Sequence, residues 1–294
     1  MRVVVFSKLL KQKDIPYVQT LFDVLHEFGI AVYVFKPYLD ALQGHIDFKS
    51  NVGVFEGYLD FKILNYDFLI TLGGDGTILG ATTLVRDSNV PILGINLGRL
   101  GFLASVRKDR IHEAIELLIN GHYTLEERTT IHLESNNPLF GEVKFALNDF
   151  TLLKRDTSSM ITIHTFINGA YMNTYWADGI ILATPTGSTG YSLSCGGPII
   201  FPNSGNFVIT PVAPHNLNVR PIVISDDSVV SFEVEGRAQD FLVTLDSRIE
   251  KVTSDDQLAV RKGDFTLKLV QLQDIGFIET IRNKLTWGKD ERNH

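Results

Sequence analysis

"DFLITLGGDGTILGATTLV", residues 67–85, changes character halfway along. Phe68 to Thr71 form a short apolar, β-branched run; Gly73, Gly74, Asp75, Gly76 and Thr77 interrupt it, and the spacing then becomes helical. A strand that stops at glycines and turns straight into a helix is one βα unit of a parallel sheet. Free backbone N–H groups at the start of such a helix suit a phosphate, and glycine lets an anion approach the main chain closely. Asp75 does not fit that role alone, because its charge repels phosphate. It makes sense if the acid faces a hydroxyl or a metal ion. A plain turn followed by a helix cap would use the same residue types.

Working outward, the same alternation holds from residue 1 to about 124. "RVVVF" and "IAVYVF" read as strands, and between them Ile15, Val18, Phe22 and Leu25 recur on one helical face, with Gly29 placed to end the helix. "VPILGIN" is a further strand. "DRIHEAIELLING" offers Asp109 as N-cap, Ile111, Ala114, Ile115 and Leu118 on one face, and Gly121 after the end. From about 125 to 270 the period changes to two: "TIHLE", "EVKFALNDFTLL", "MITIHTFI", "AYMNTYW", "VVSFEVEG", "FLVTLDS" and "FTLKLVQL" are strand-like, and Asn168-Gly169 signals a hairpin turn. Phe277, Ile281 and Leu285 restore helical spacing in the tail. The fold class expected is therefore an α/β N-terminal domain with a mainly parallel sheet (1–124, completed by a C-terminal helix within 271–294) and a β-rich, sandwich-like C-terminal domain (125–270).

The chain has 294 residues, 44% hydrophobic and 21% charged, enough apolar material for a substantial core. A net charge of -7 argues against a general nucleic-acid or anionic-membrane surface. Cys195 is the only cysteine, so no intrachain disulfide forms and a reducing compartment fits. "MRVVVFSKLLKQ" lacks the apolar length and cleavage site of a secretory signal, and no stretch approaches a membrane span. The expected location is cytoplasmic.

Common sites are missing. There is no Walker-type G-x-x-x-x-G-K-[ST], and Leu79 stands where a third glycine would complete G-x-G-x-x-G after Gly74 and Gly76. No second histidine follows His26-Glu27 or His112-Glu113 at zinc-protease spacing, and Gly187 directly before Ser188 breaks a hydrolase elbow. Two other stretches stand out. "WADGIILATPTGSTGYSLSCGGPI", 176–199, holds four glycines and six Ser/Thr residues between Thr184 and Gly197, whose hydroxyls and amides suit ribose and phosphate oxygens. In "ALNDF", Asn148-Asp149 sits among apolar neighbours, so at least one of the pair needs a polar partner; an edge bulge or turn would explain it equally well.

Taken together, GGDGT at 73–77, "LGRLGF" at 97–102, the Asn-acid pair at 148–149, "DGIILATPTGSTGYSLSCGGP" at 178–198, "PHNLNVRPIV" at 214–223 and the ending "TIRNKLTWG" resemble the NAD kinase family, in order and over nearly the whole chain. That resemblance implies transfer of a phosphoryl group from ATP to the 2′-hydroxyl of the adenosine ribose of NAD, giving NADP, with the active site between the two domains. It implies Asp75 as general base. Gly74, Gly76, Thr77, Phe102, Asn148, Asp149, Asp178, Thr189, Gly190, Tyr191, Ser192, Ser194 and Ala213 would contact substrate. It also implies Mg²⁺ or another divalent cation carried with ATP, and a homo-oligomer, a tetramer. Asp149 stands where the family usually has Glu, Arg99 where many members have His, and "LDSR" at 245–248 where the family has Asp-Gly-Gln.

A free aspartate carboxyl titrates near 4, so full deprotonation of a ribose hydroxyl before attack is uphill. Asp75 is expected to orient the 2′-oxygen and take its proton as the bond to phosphorus forms. GGDG also occurs in lipid kinases of the diacylglycerol and sphingosine type, which follow it with an Asn-Glu pair, and in phosphofructokinases; here the helix reads "TILGATT". A non-catalytic NAD-binding sensor would keep the same pocket. Formation of NADP from NAD and ATP separates these readings.

Overall fold

A computed structural model of the chain describes residues 1–99, 101–155, 159–216, 218–237, 239–272 and 276–285. Leu100, Leu217 and the stretch 286–294, parts of three of the quoted matches and of the tail, lie outside the described residues. Two compact units divide the chain, Met1–Glu127 with Leu267–His294, and Arg128–Thr266.

The first unit begins β1 (Arg2–Phe6), α1 (Ile15–Glu27), β2 (Ala31–Phe35), α2 (Lys36–Leu42), β3 (Gly53–Phe55), α3 (Tyr58–Ile63), β4 (Phe68–Leu72), α4 (Asp75–Val85), β5 (Ile92–Asn96), β6 (Val106–Arg107) and α5 (Ile111–Ile119). Strands β4 and β5 are buried at every residue and β1 at all but its first, as continuous apolar runs in a helix-covered parallel sheet should be. The order is β3-β2-β1-β4-β5, parallel throughout, with Val3 opposite Phe68 and Leu69 opposite Ile92. The chain moves outward from β1 to β3 and then returns to β1's other side. The switch point therefore lies between β1 and β4, where parallel α/β sheets bind ligands beyond the strands' carboxyl ends.

The second unit takes up most of β7 (Tyr123–Ser135), β8 (Phe145–Ala146), β9 (Asp149–Lys154), β10 (Ile161–Ile167), β11 (Ala170–Ala177), β12 (Gly179–Ala183), α6 (Tyr191–Ser194), β13 (Asn206–Val212), β14 (Ile222–Ser225), β15 (Val230–Glu235), β16 (Phe241–Leu245), β17 (Arg248–Val252) and most of β18 (Leu258–Leu272). Strands β11-β10-β15-β18 pair antiparallel in one sheet and β14-β13-β12-β9-β16-β17 in the other. Phe150, Leu152 and Phe207 from the second sheet share a core with Ile163, Tyr175 and Phe232 from the first, and the Phe150 and Phe232 rings stack with centroids 5.4 Å apart. This is a sandwich. Asn168 and Gly169, both at positive φ (51° and 80°), make the left-handed pair that a tight hairpin between β10 and β11 needs. The tail forms α7 (Phe277–Leu285), with Ile281 buried and the Lys284 ammonium 5.1 Å from the centre of the Phe102 ring.

Some local expectations need correction. Asp109 does not cap α5: a 3-10 turn, Lys108–Arg110, precedes the helix, and the Asp109 carboxylate instead pairs with Arg107 at 2.7 Å. Elements α2, β3 and α3, of 7, 3 and 6 residues, are too short to show a period in the sequence. "ALNDF" is not one continuous strand; it breaks between β8 and β9, at Leu147 and Asn148.

Candidate functional site

The candidate residues fall into one group in each unit. In the first, β4 ends at Leu72, Gly74 takes the N-cap position, and Asp75 opens α4. Gly73 sits at φ 156°, where an L side chain is strained, and a Cβ there would come within 2.1 Å of Thr77 Oγ1. Gly74 and Gly76 are exposed, and Asp75 and Thr77 are half-buried.

The Asp75 carboxylate is held by the chain that follows β5. Its Oδ2 accepts the Phe102 N–H at 2.8 Å, while Oδ1 accepts those of Leu103 and Ala104 at 3.1 and 3.0 Å. A carboxylate offers about four accepting sites, so Oδ1 is filled and Oδ2 keeps one. The loop is in turn shaped by buried Asn96, which accepts from Gly98 N–H and donates to the Arg99 carbonyl. Gly101 is required by contact: a Cβ there would lie 1.8 Å from Asp75 Oδ1. Phe102, singled out as an aromatic contact, thus also holds the acid through its backbone. A cavity of about 260 Å³ opens at the switch point, lined in part by Gly73, Gly74, Thr77 and Arg99.

In the second unit, Asn148 and Asp149 come together with Gly190: a Cβ on Gly190 would lie 3.7 Å from Asn148 Nδ2 and 4.0 Å from Asp149 Oδ2. Asn148 Oδ1 is buried with no hydrogen-bond partner among the described residues. Asp246, in the "LDSR" stretch that departs from the family's Asp-Gly-Gln, is the residue that fixes this pair. Its carboxylate accepts the N–H groups of Leu147, Asn148 and Asp149 at 3.0, 2.7 and 3.4 Å, from a left-handed backbone at φ 55°. The Arg248 guanidinium instead donates to the carbonyls of Val143 and Phe145.

Two acids are thereby buried side by side. Burial, then the adjacent Asp246 charge, pushes the Asp149 carboxyl up to about 7. Burial also raises Asp246, with the amides of Asn148 and Leu147 pulling the other way. In the unfolded chain Asp149 titrates near 4. Between about pH 4 and 7 the folded state therefore holds the extra proton, so stability falls as pH rises through that window and stays reduced above it. Denaturant unfolding at pH 5, 6, 7 and 8 should show this decline, and Asp149→Asn should flatten it while gaining stability at pH 8. An unchanged slope in the variant would assign the pH dependence elsewhere.

The loop after β12 is wired inward. Thr184, Thr186, Ser188 and Ser192 are buried. Thr184 donates to the Leu147 carbonyl at 2.6 Å and accepts Gly187 N–H at 3.1 Å; Ser188 donates to the Pro185 carbonyl at 2.6 Å and accepts Ile200 N–H at 2.9 Å. Buried Arg128 donates to Thr186, and Ser192 bonds Thr210 at 2.8 Å. The Ser192 hydroxyl is therefore a brace within the loop, and of the six Ser/Thr hydroxyls in this stretch only those of Thr189 and Ser194 belong to residues that reach the surface. Tyr191 and Gly190 are accessible, and burial raises both the Tyr191 hydroxyl and the neighbouring Cys195 thiol. Asp178 is half-buried and paired with Lys154 at 2.5 Å, a partner no motif had indicated. Ala213 is exposed at φ 45°, just past β13.

Comparison with known proteins agrees over the whole chain. A family model described as the ATP-NAD kinase N-terminal domain matches residues 3–123, and one for the ATP-NAD kinase C-terminal domain matches 147–272. An NAD kinase of Cytophaga hutchinsonii is 48% identical over 284 residues, 96% of this chain and 97% of that one. An NAD kinase of Flavobacterium psychrophilum is 44% identical over 297 residues, covering all of both. Among solved structures, yeast NADH kinase complexed with NADH superposes with a TM-score of 0.88 at 24% identity, over 100% of this chain and 89% of that one. An NAD kinase from Archaeoglobus fulgidus in complex with ATP gives 0.73, also at 24% identity, over 97% and 98%.

Proposed function

Because this chain belongs to the NAD kinase family, we infer that Asp75 is the base with which it transfers the γ-phosphoryl group of ATP to the 2′-hydroxyl of NAD. The observation that carries this reading is the single accepting site left on Asp75 Oδ2, with the other oxygen filled by amides. Three N–H bonds fix the carboxylate before substrate arrives, so little reorganisation is needed when it accepts the hydroxyl's hydrogen bond. The proton moves to Oδ2 as the 2′-oxygen closes on phosphorus, and ADP leaves with the electron pair of the breaking bond. The N-terminus of α4, beginning at the Gly74 N-cap, offers backbone donors to the phosphates; the Gly73 N–H is already bonded to the Ile95 carbonyl at 2.9 Å.

The remaining assignments are ours as well. Asn148, Asp149, Asp178, Thr189, Gly190, Tyr191, Ser194 and Ala213 hold the dinucleotide, supported by the grouping of Asn148, Asp149 and Gly190 and by the accessibility of Tyr191 and Ser194. Among the described residues no three His, Cys, Asp or Glu side chains converge to hold a metal ion. We take the divalent cation to arrive on ATP as part of the substrate, where it offsets triphosphate charge near Asp75. Exposed Tyr171, Trp176, Ile222 and Val223 in the second unit support a homo-oligomer, which we take to be a tetramer. No described helix is long and apolar enough to cross a membrane. We assign the chain to the cytoplasm, a reducing compartment that its single cysteine fits.

Purified protein given NAD, ATP and Mg²⁺ should form NADP with the new phosphate on the 2′-oxygen, as read by ³¹P NMR. Phosphate on any other position would overturn the role given to Asp75. Light scattering tests the assembly, and a monomer at micromolar concentration would refute it.

A further inference from the structure

The cavity at the switch point has a second part that none of the sequence motifs reaches. Besides the glycines of the β4–α4 turn, it is lined by Lys8, Lys11, Lys13 and Asp14, all from the segment that leaves β1. β1 and β4 are neighbours in the sheet, so this segment and the glycine turn open at the same edge although they are about 65 residues apart. The three lysines are exposed, and none has an ion-pair or hydrogen-bond partner among the described residues. Lys8 lies along α4, over Gly80, where a Cβ would come within 2.5 Å of its Cε. Three unneutralised ammonium groups beside free helix N–H groups form an anion site.

Asp14 is the unexpected member. It is only 6% exposed, occupies the N-cap position of α1 without capping it, and its Oδ1 has no partner. A buried carboxylate oxygen without a donor is costly, and next to phosphates it is repelled as well. Both costs are relieved by a ligand that brings a hydrogen-bond donor along with its phosphates. A nucleoside triphosphate does so through its ribose hydroxyls; a bare phosphate chain does not. A neighbouring cavity of about 370 Å³, sharing Asn96 and Gly98 and lined by Tyr17 of α1, provides room for the rest of the nucleoside.

We propose that Lys8, Lys11 and Lys13 take the polyphosphate tail of the donor while Asp14 accepts a hydroxyl of its ribose, so that Asp14 favours a nucleoside triphosphate over a bare phosphate chain. This rests on ATP being the donor bound beside the β4–α4 turn. Equilibrium binding to the full chain, measured by calorimetry without divalent cation, tests it with three probes: ATP, 2′,3′-dideoxy-ATP and inorganic triphosphate. Combined Lys8→Ala, Lys11→Ala and Lys13→Ala should weaken all three by about tenfold or more and reduce the salt dependence. Asp14→Asn should weaken ATP by about tenfold, leave dideoxy-ATP within about twofold, and bind inorganic triphosphate as well or better. Equal losses for all three probes in Asp14→Asn would make Asp14 a scaffold residue, and unchanged binding in the lysine variant would remove the cationic wall; either result overturns the proposal. Failure of the parent chain to bind ATP at all would instead remove the reading on which it rests. The lysines are exposed, so their variant remains informative even if Asp14→Asn folds poorly.

Discussion

Asp75→Asn should lose most of its turnover, roughly 10²–10⁴-fold, and keep an affinity for NAD close to that of the parent. The amide cannot take the proton of the attacking hydroxyl. It also changes the cradle: with Oδ1 still accepting from Leu103 and Ala104, the new amide nitrogen would stand where Oδ2 accepted the Phe102 N–H at 2.8 Å. Two donors then face each other, at a cost of about 1–3 kcal/mol. A modest fall in melting temperature should therefore accompany the loss of rate. Single-turnover NADP formation and NAD calorimetry separate the two effects. Turnover within tenfold of the parent would rule out the base, whatever the stability.

The second large effect belongs to Gly187→Ala. A Cβ at Gly187 would come within 2.0 Å of the Asn148 carbonyl oxygen, 2.5 Å of its carbon and 2.8 Å of its Cα. All three are backbone atoms, so no rotamer change relieves the contact. The same carbonyl accepts Thr184 N–H at 2.9 Å, and the Gly187 N–H is bonded to Thr184. Relief must therefore move either the Asn148-Asp149 pair or the loop that carries Thr189 to Ser194. Overpacking of this kind typically costs about 1–3 kcal/mol. We expect KM for NAD to rise at least tenfold, with a melting temperature lower by roughly 2–4 °C per kcal/mol. A variant with parental KM and melting temperature would show that the loop has slack.

Most of the β4–α4 turn was legible because its signals are local: an apolar run, glycines, an acid, a helical period. The sandwich was legible where alternation was clean, as in β10 and β15. Strands β12 and β13 are buried on both faces and show no alternation, so the eye is drawn to the small polar residues between them. Those residues were read as hydroxyls for a ligand. In the fold Thr184, Ser188 and Ser192 turn inward because residues far along the chain, Leu147, Ile200 and Thr210, come to meet them. Asp246 was hidden for the same reason, its partners lying nearly a hundred positions earlier. Asp14 looks like an ordinary helix cap in sequence. Only the adjacency of β1 and β4 puts it beside the glycine turn.

The vacant acceptor position on Asp75 also bears on regiochemistry. A ribose presents two adjacent oxygens of nearly equal intrinsic reactivity, and a carboxylate with both edges open could serve either one. With Oδ1 closed off by Leu103 and Ala104, only one line of approach remains. With Asp75 as the proposed base, choosing the 2′ over the 3′ isomer becomes a question of angle rather than of acidity, set by the short peptide that wraps the acid.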